Sequence, residues 1–91
     1  MSTKEKKYTE VNANVNNDHE HKLVLWNDDV NTFDHVIKVL MEVCGHDPYQ
    51  AETCAIIAHF KGKCTVKEGS FDTLKPLMTE MTIQQLTVEI K

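Results

Sequence analysis

Apolar and polar residues alternate with a period that changes along the chain, and each change in that period predicts the start of a new helix or strand. Lys22–Trp26 is short, rich in β-forming residues and followed by a polar cluster, which predicts a first strand. Apolar residues then recur at steps of three and four, which predicts one face of an amphipathic helix. These residues are Phe33, Val36, Ile37, Leu40, Val43 and Cys44, with Asn31 or Thr32 as the cap and Gly45 as the end.

The residues after Gly45 carry a complete signal for the start of a second helix. Asp47 is suited to the N-cap, Pro48 to the first helical position and Gln50 to the third. The helix then reads as apolar on most sides, which predicts a central, well-buried helix that ends near Lys61 and Gly62. Its apolar residues are Ala51, Cys54, Ala55, Ile56, Ile57 and Ala58.

The last third of the chain predicts two further strands with a helix between them. Lys63–Lys67 alternates weakly and precedes a predicted turn at Glu68–Ser70, and Leu86–Ile90 alternates cleanly. The resulting order is β-α-α-β-α-β. It predicts an α+β fold, a small two-layer sandwich in which a three-stranded antiparallel sheet carries three helices on one face.

The third helix contains a proline. Its apolar residues at helical spacing are Leu74, Leu77, Met78 and Met81. A helix that began at Phe71 would hold Pro76 in its interior, where proline removes a hydrogen bond and clashes with the preceding turn. We therefore expect a short helix that begins near Thr73, with Asp72 as its cap.

Residues 1–20 differ from the rest because they contain few apolar side chains. Such a segment cannot bury enough surface to offset the entropy of ordering it, so we expect a disordered N-terminal extension followed by one folded domain at residues 21–91. At 91 residues the chain has a modest core and little room for a catalytic cleft, which argues against an enzyme.

Charge and hydropathy exclude two classes of partner. The net charge is −4 and all ten basic residues are lysines, which argues against nucleic acid. No apolar run is long enough to span a membrane, and no signal peptide is evident, so we expect a cytoplasmic protein. Cys44, Cys54 and Cys64 match no zinc spacing and are interpreted as reduced, buried residues, so no metal or other cofactor is expected.

Polar chemistry concentrates at two places, the loop from Asn27 to Asn31 and the isolated His59. Each has a simpler interpretation, because the loop could be a capped turn and His59 could be a core histidine bonded to a backbone carbonyl. A metal-dependent hydrolase with Asp28, Asp29 and His59 as ligands is another hypothesis, but the sequence offers no convincing fourth ligand.

Together the two places resemble the ClpS adaptor family. Leu25–Ile37, with Asn27-Asp28-Asp29 before Thr32 and Phe33, is similar to the family's "NDD" segment, and Ala58–Lys63 is similar to its "VH–GK" segment. The separation of Asn27 and His59 also fits, and the likeness extends over about Lys22 to Ile90.

This resemblance implies a non-enzymatic adaptor. Such a protein binds the free hydrophobic N-terminal residue of N-end-rule substrates and delivers them to the N-terminal domain of a ClpA or ClpC AAA+ unfoldase, for degradation by ClpP. The implied fold is similar to the C-terminal domain of the ribosomal stalk protein, and we expect a monomer. An alternative is a ClpS-like module that docks on the unfoldase without capturing an N-degron.

The resemblance also implies the binding residues. The α-amine would be bound by Asn27, Asp28, Asp29 and His59, and the side chain by a pocket of Asn31, Phe33, Val36, Ala55 and Ala58. An α-ammonium group carries three donors and a positive charge, so a cluster of acceptors with net negative charge suits it. Val36 and Ala58 could equally be ordinary core residues.

Three features depart from the family pattern. Ala55 stands where a bulky methionine is frequent and Phe33 replaces another methionine, so we expect a shifted preference among N-terminal residues. His35 replaces an aromatic residue and is interpreted as a surface variation. The segment from Gly69 to Thr87 is short, which puts family contacts with the unfoldase in this region in doubt.

Overall fold

A computed structural model describes residues 21–91, so the predicted disorder of residues 1–20 lies outside the described residues. The predicted element order and the α+β class are confirmed. The elements are β1 (His21–Trp26), α1 (Phe33–Cys44), α2 (Pro48–Lys61), β2 (Lys63–Gly69), α3 (Phe71–Ile83) and β3 (Thr87–Ile90).

The three strands form one antiparallel sheet in the order β2-β1-β3, with β1 at its centre. At the end of β1, Trp26 lies opposite Lys63, the first residue of β2, and Thr87, the first residue of β3. The backbone N–H of Asn27 then donates to the carbonyl of Gly62, at 2.9 Å. This topology brings the β1–α1 loop together with the ends of α2 and α3.

The predicted caps of the first two helices are confirmed. Thr32 accepts a hydrogen bond from the His35 N–H at 3.1 Å, so Thr32 rather than Asn31 caps α1. Asp47 accepts from the Gln50 N–H at 2.7 Å. These side chains satisfy backbone donors that the first helical turn leaves without a partner, and each cap is worth about 1 kcal/mol.

The hydrophobic core lies between the helices and one face of the sheet. The largest fully buried side chains are Leu23, Leu25, Val39, Leu40, Leu74 and Met81. They come from β1, α1 and α3, so all three elements contribute to one core. Burying a leucine of this kind stabilises the fold by about 1.5–3 kcal/mol.

Helix α2 is buried on one side only, which corrects the prediction of a central helix. Its small residues Ala51, Cys54, Ala55 and Ala58 face the core. The large apolar residues lie outside: Tyr49 is 79% exposed, Phe60 is 76% exposed, and Ile56 and Ile57 are also exposed. Apolar composition alone therefore overestimated the burial of this helix, because the buried face is made of small side chains.

Helix α3 begins earlier than predicted and has 13 residues, so the expectation of a short helix starting near Thr73 was wrong. Ser70 is the N-cap in place of Asp72, and its hydroxyl accepts from the Thr73 N–H at 3.1 Å. Pro76 lies inside the helix. Its ring deprives only the Asp72 carbonyl of a helical partner, and since Asp72 is exposed, water can replace that bond. The predicted turn also begins later, because Glu68 and Gly69 belong to β2.

No helix of residues 21–91 is long and apolar enough to cross a membrane.

Candidate functional site

The described residues contain a pocket at the end of β1, between the β1–α1 loop and helices α1 and α2. It has a volume of about 50 Å³. Its lining comprises Leu25, Trp26, Asn27, Asp28, Asn31, Phe33, Val36, Ala55, Ala58 and His59. The chain thus brings residues from two separate segments, 25–36 and 55–59, to one cavity, since the α2–β2 connection returns the end of α2 to the end of β1.

Eight of the nine residues singled out in the sequence line this pocket, and Asp29 does not. Asp29 is exposed, whereas the neighbouring Asp28 is half-buried and points into the structure. Leu25 and Trp26 also line the pocket and were missed. Their position at the end of the strand, next to Asn27, is the signal that could have found them.

The carboxylate of Asp28 organises the β1–α1 loop. Its Oδ1 accepts from the backbone N–H groups of Val30 and Asn31, both at 3.0 Å. The side-chain amide of Asn31 contacts both carboxylate oxygens, at 3.1 and 3.0 Å. Thr87 on β3 donates to Oδ2 at 3.4 Å.

These bonds set the protonation of Asp28. Burial on its own would raise the pKa of the carboxyl, but hydrogen bonds from Asn31, Val30 and Thr87 outweigh it and lower the pKa below 3.8. Donors stabilise the charged form of a carboxyl group, so Asp28 is an anion at neutral pH. The pocket therefore contains a fixed negative charge.

His59 lies in the last turn of α2 and is exposed. Its ring is flanked by two aromatic rings, with centroids 5.2 Å away in Phe33 and 4.7 Å away in Phe60. Within residues 21–91 no side chain or carbonyl hydrogen-bonds its ring nitrogens, which leaves them free for a ligand. The interpretation of His59 as a core histidine is wrong. That description fits His46, which is buried and donates from Nε2 to the Val66 carbonyl at 2.7 Å.

The apolar side of the pocket is shared with the core. Ala55 and Ala58 are each 4% exposed, and Ala58 belongs to the core cluster while it also lines the pocket. Val36 is half-buried and packs against the same cluster. The two interpretations of Val36 and Ala58, pocket wall or core, therefore apply together. Phe33, which is 43% exposed, extends the wall toward His59.

His35 has a structural contact and is not merely a surface variation. Its Nε2–H donates to the Gln84 carbonyl at 2.8 Å, which links α1 to the end of α3. The side-chain amide of Asn31 makes a parallel link to the Gln85 carbonyl at 2.9 Å. Both bonds connect the region around the site loop to the segment between α3 and β3.

The three cysteines take no part in the site. Cys44 and Cys54 are buried, Cys64 is half-buried, and all three are free thiols. Burial and the neighbouring Cys64 raise the pKa of Cys54 to about 12, and burial also raises the pKa of Cys44. Such thiols stay protonated and unreactive. Among residues 21–91, no three His, Cys, Asp or Glu side chains are grouped so that they could hold a metal ion.

The pocket thus joins two kinds of chemistry. The oxygen of Asn27, the carboxylate of Asp28 and a ring nitrogen of His59 can accept hydrogen bonds at its rim. Apolar side chains from both helices line the remainder. Fold and pocket together define a small α+β binding domain suited to a ligand with a cationic donor next to an apolar group.

Comparison with known proteins gives this domain its family. The family model for the ATP-dependent Clp protease adaptor protein ClpS matches residues 16–88, most of the chain. The chain therefore belongs to the ClpS family, which is a family of adaptor proteins and not of enzymes.

A solved structure shares the fold. It is the Agrobacterium tumefaciens protein ClpS2 bound to L-phenylalaninamide, with a TM-score of 0.77 and 21% sequence identity. The match covers 81% of this chain and 96% of the ClpS2 chain. A search of curated proteins found no significant match.

Proposed function

We propose that this chain binds the free hydrophobic N-terminal residue of N-end-rule substrates and delivers them to a ClpA or ClpC unfoldase for degradation by ClpP. The observation that carries the proposal is the pocket, in which Asn27, Asp28 and His59 adjoin apolar walls. Membership of the ClpS adaptor family supports the same role. In this role the protein acts as an adaptor and not as an enzyme.

The chemistry of an N-terminus matches the pocket rim. An α-ammonium group presents three donors and a positive charge, and a charge-assisted hydrogen bond contributes about 1.5–3 kcal/mol. An internal residue of a chain offers one neutral N–H and would leave the Asp28 carboxylate without its cation. The rim therefore selects for chain ends, because the incorrect ligand leaves polar groups unpaired.

The ligand of ClpS2 has the two features that this proposal requires. L-Phenylalaninamide combines a free α-amine with an apolar aromatic side chain. In the present chain, an aromatic or aliphatic side chain of that kind would lie against Val36, Ala55 and Ala58, and its burial would contribute about 1.5–3 kcal/mol.

The identity of the accepted side chain depends on Ala55. Alanine leaves space where methionine would fill the pocket, and Phe33 adds an aromatic ring to the lining. We expect Ala55→Met to weaken binding of the bulkiest N-terminal residues most, because overpacking costs about 1–3 kcal/mol. Competition among peptides that begin with Leu, Ile, Phe, Tyr or Trp measures this. An unchanged ranking would contradict a role for Ala55 in specificity.

Blocking the amine tests the proposal directly. We expect a Phe-initiated peptide to bind at least about tenfold more tightly than its N-acetylated form, because acetylation removes the charge and two donors. The same peptide with an N-terminal serine is the matched control for the side chain. Equal affinities of the free and acetylated peptides would defeat N-degron capture and favour the alternative, a module that docks on the unfoldase without it.

Partner, location and assembly complete the proposal. We expect a monomer in the cytoplasm that contacts protein partners and neither nucleic acid nor membrane. Sedimentation of the full chain, alone and with the N-terminal domain of ClpA or of ClpC, measures both the oligomeric state and the partner. Failure to bind either domain would contradict the delivery of substrates to the unfoldase. Substrate capture would not be affected by that result, because the acetylated peptide tests it separately.

A further inference from the structure

The Asp28 carboxylate is held from two directions. Within its own loop, Oδ1 accepts hydrogen bonds from the backbone N–H groups of Val30 and Asn31. From β3 the carboxylate accepts the Thr87 hydroxyl on Oδ2 at 3.4 Å. A carboxylate offers about four lone-pair sites, and the longest of these bonds falls on Oδ2, so Oδ2 keeps most capacity for a further donor.

The side-chain amide of Asn31 connects the two directions. Its nitrogen lies 3.1 and 3.0 Å from the two oxygens of Asp28 and 2.9 Å from the Gln85 carbonyl. An amide NH₂ has two N–H bonds, so one serves the carboxylate and the other serves Gln85. Both donors of this amide are occupied, so the Asn31 side-chain nitrogen links the Asp28 carboxylate to the Gln85 carbonyl.

The α3–β3 corner, which we define as residues 84–87, supplies the fixed end of this network. Gln85 has a left-handed backbone with φ of 71°, and within residues 21–91 it is the one residue other than glycine with a positive φ. On either side, the Gln84 carbonyl accepts from His35 and the Thr87 hydroxyl donates to Asp28. Leu86 between them is buried in the core. This left-handed conformation ends α3, because the N–H groups of Gln85 and Leu86 donate to the Thr82 and Met81 carbonyls at 2.9 and 3.0 Å.

We propose that the α3–β3 corner orients Asp28 for the substrate amine, with Asn31 and Thr87 as positioning residues. This inference rests on the proposed capture of N-terminal residues. The corner keeps the carboxylate in one rotamer with Oδ2 directed to the ammonium group, so the site needs no rearrangement when substrate binds. Removing either positioning residue leaves the backbone bonds to Oδ1 in place but removes a donor that fixes Oδ2.

The first arm of the test uses the ligand-free protein. Carbon-detected NMR titration of the Asp28 carboxyl should show a higher pKa in Asn31→Ala and a smaller increase in Thr87→Val, because each change removes a donor to the anion. Thr87→Ser should restore the wild-type titration. Thr65→Val is the matched control, since Thr65 is exposed on the other flanking strand and, within the described residues, does not hydrogen-bond the loop. An unchanged Asp28 titration in both variants would overturn the proposal.

The second arm measures peptide binding. Affinity for a free Phe-initiated peptide should fall about 3- to 10-fold in Asn31→Ala and less in Thr87→Val, the range expected for one hydrogen bond. Combined with Asp28→Asn, Asn31→Ala should have almost no further effect, because it acts through the carboxylate. Thermal unfolding checks that each variant is folded. If Asn31→Ala is not folded, the comparison of Thr87→Val with Thr87→Ser still tests the proposal.

The outcomes separate the two proposals. Additive effects of Asn31→Ala and Asp28→Asn, or full affinity in both positioning variants, would overturn the role of the corner while substrate capture stands. Equal binding of free and acetylated peptides by the wild-type protein would instead overturn substrate capture and, with it, this inference.

Discussion

The β1–α1 loop and the α3–β3 corner meet at Asp28, yet they contribute to the site in different ways. The loop supplies side chains, namely Asn27, Asp28 and Asn31, which line the pocket. The corner supplies mainly backbone, through the carbonyls of Gln84 and Gln85, and adds one hydroxyl from Thr87. The site therefore combines a region defined by residue type with a region defined by backbone geometry.

The largest expected effect is on the stability of the fold next to the corner and does not involve ligand binding. Leu74→Ala on α3 should lower the free energy of unfolding by about 2–5 kcal/mol, because Leu74 is fully buried. Urea denaturation measures this. Leu77→Ala, at a half-buried position of the same helix, is the control and should cost less. Equal losses for the two would contradict the placement of Leu74 at the centre of the core.

Within the loop, the two neighbouring aspartates should differ. Asp28→Asn keeps the shape of the side chain but removes its charge, and should weaken binding of a free N-terminal peptide by about 1.5–3 kcal/mol, or roughly 10- to 150-fold. Asp29→Asn is the matched control because Asp29 does not line the pocket. Calorimetric titration with one peptide measures both variants, and an equal loss in Asp29→Asn would refute the assignment of the amine to Asp28.

The hydrogen bonds of Asp28 also predict an effect of pH on stability. The folded protein lowers the pKa of this carboxyl below 3.8, so folding favours its charged form. The stabilisation is therefore fully present above the ordinary pKa and is lost as the pH falls through the folded value. Asp28→Asn should lose less stability than the wild type over the same acid range. Parallel acid-unfolding curves of the two proteins would contradict this.

His59 tests the part of the site that comes from α2. His59→Ala should weaken peptide binding by about 0.5–1.5 kcal/mol through loss of one acceptor. His21→Ala, at the far end of β1, is the matched control and should bind the peptide as the wild type does. Calorimetric titration measures both variants, and wild-type affinity in His59→Ala would exclude this role.

The smallest expected effect concerns the proline of α3. Pro76→Ala allows one more helical hydrogen bond, to the Asp72 carbonyl, but also increases the entropy of the unfolded chain. Because the two changes oppose each other, we expect a gain in the free energy of unfolding of no more than about 1 kcal/mol. Thermal denaturation measures it, and a loss of stability would show that Pro76 is preferred at this position.

Short-range signals in this chain were reliable because the forces behind them act between neighbours in sequence. Thr32 and Asp47 cap helices through bonds to residues three positions away. The start of α3 was mispredicted although its signal, Ser70 with Thr73, is equally local. Pro76 received too much weight, since one missing bond at an exposed carbonyl is a small cost beside the burial of Leu74.

The burial of α2 shows a different limit. Its apolar residues cover most of the helix circumference, yet the buried side consists of Ala51, Cys54, Ala55 and Ala58, and Tyr49 and Phe60 are exposed. Periodicity indicates which residues share a face, but not which face meets the sheet. That choice depends on how closely another backbone approaches, and small side chains allow the closest packing.

The acceptors, the capped helices and the order of elements along the chain could be derived from residue types, because their chemistry is a property of the side chain or of its near neighbours. Three features depended on contacts between distant segments: the pocket position of Asp28 rather than Asp29, the ring contacts of His59, and the link from Asn31 to Gln85. Asp28 lies in the pocket because Thr87 and Asn31 both bond its carboxylate. The ring contacts of His59 follow from the packing of α1 against α2, and the link from Asn31 to Gln85 depends on the left-handed backbone of Gln85. No pattern in the chain encodes these directly, because each requires β1 to lie between β2 and β3 before the groups can meet.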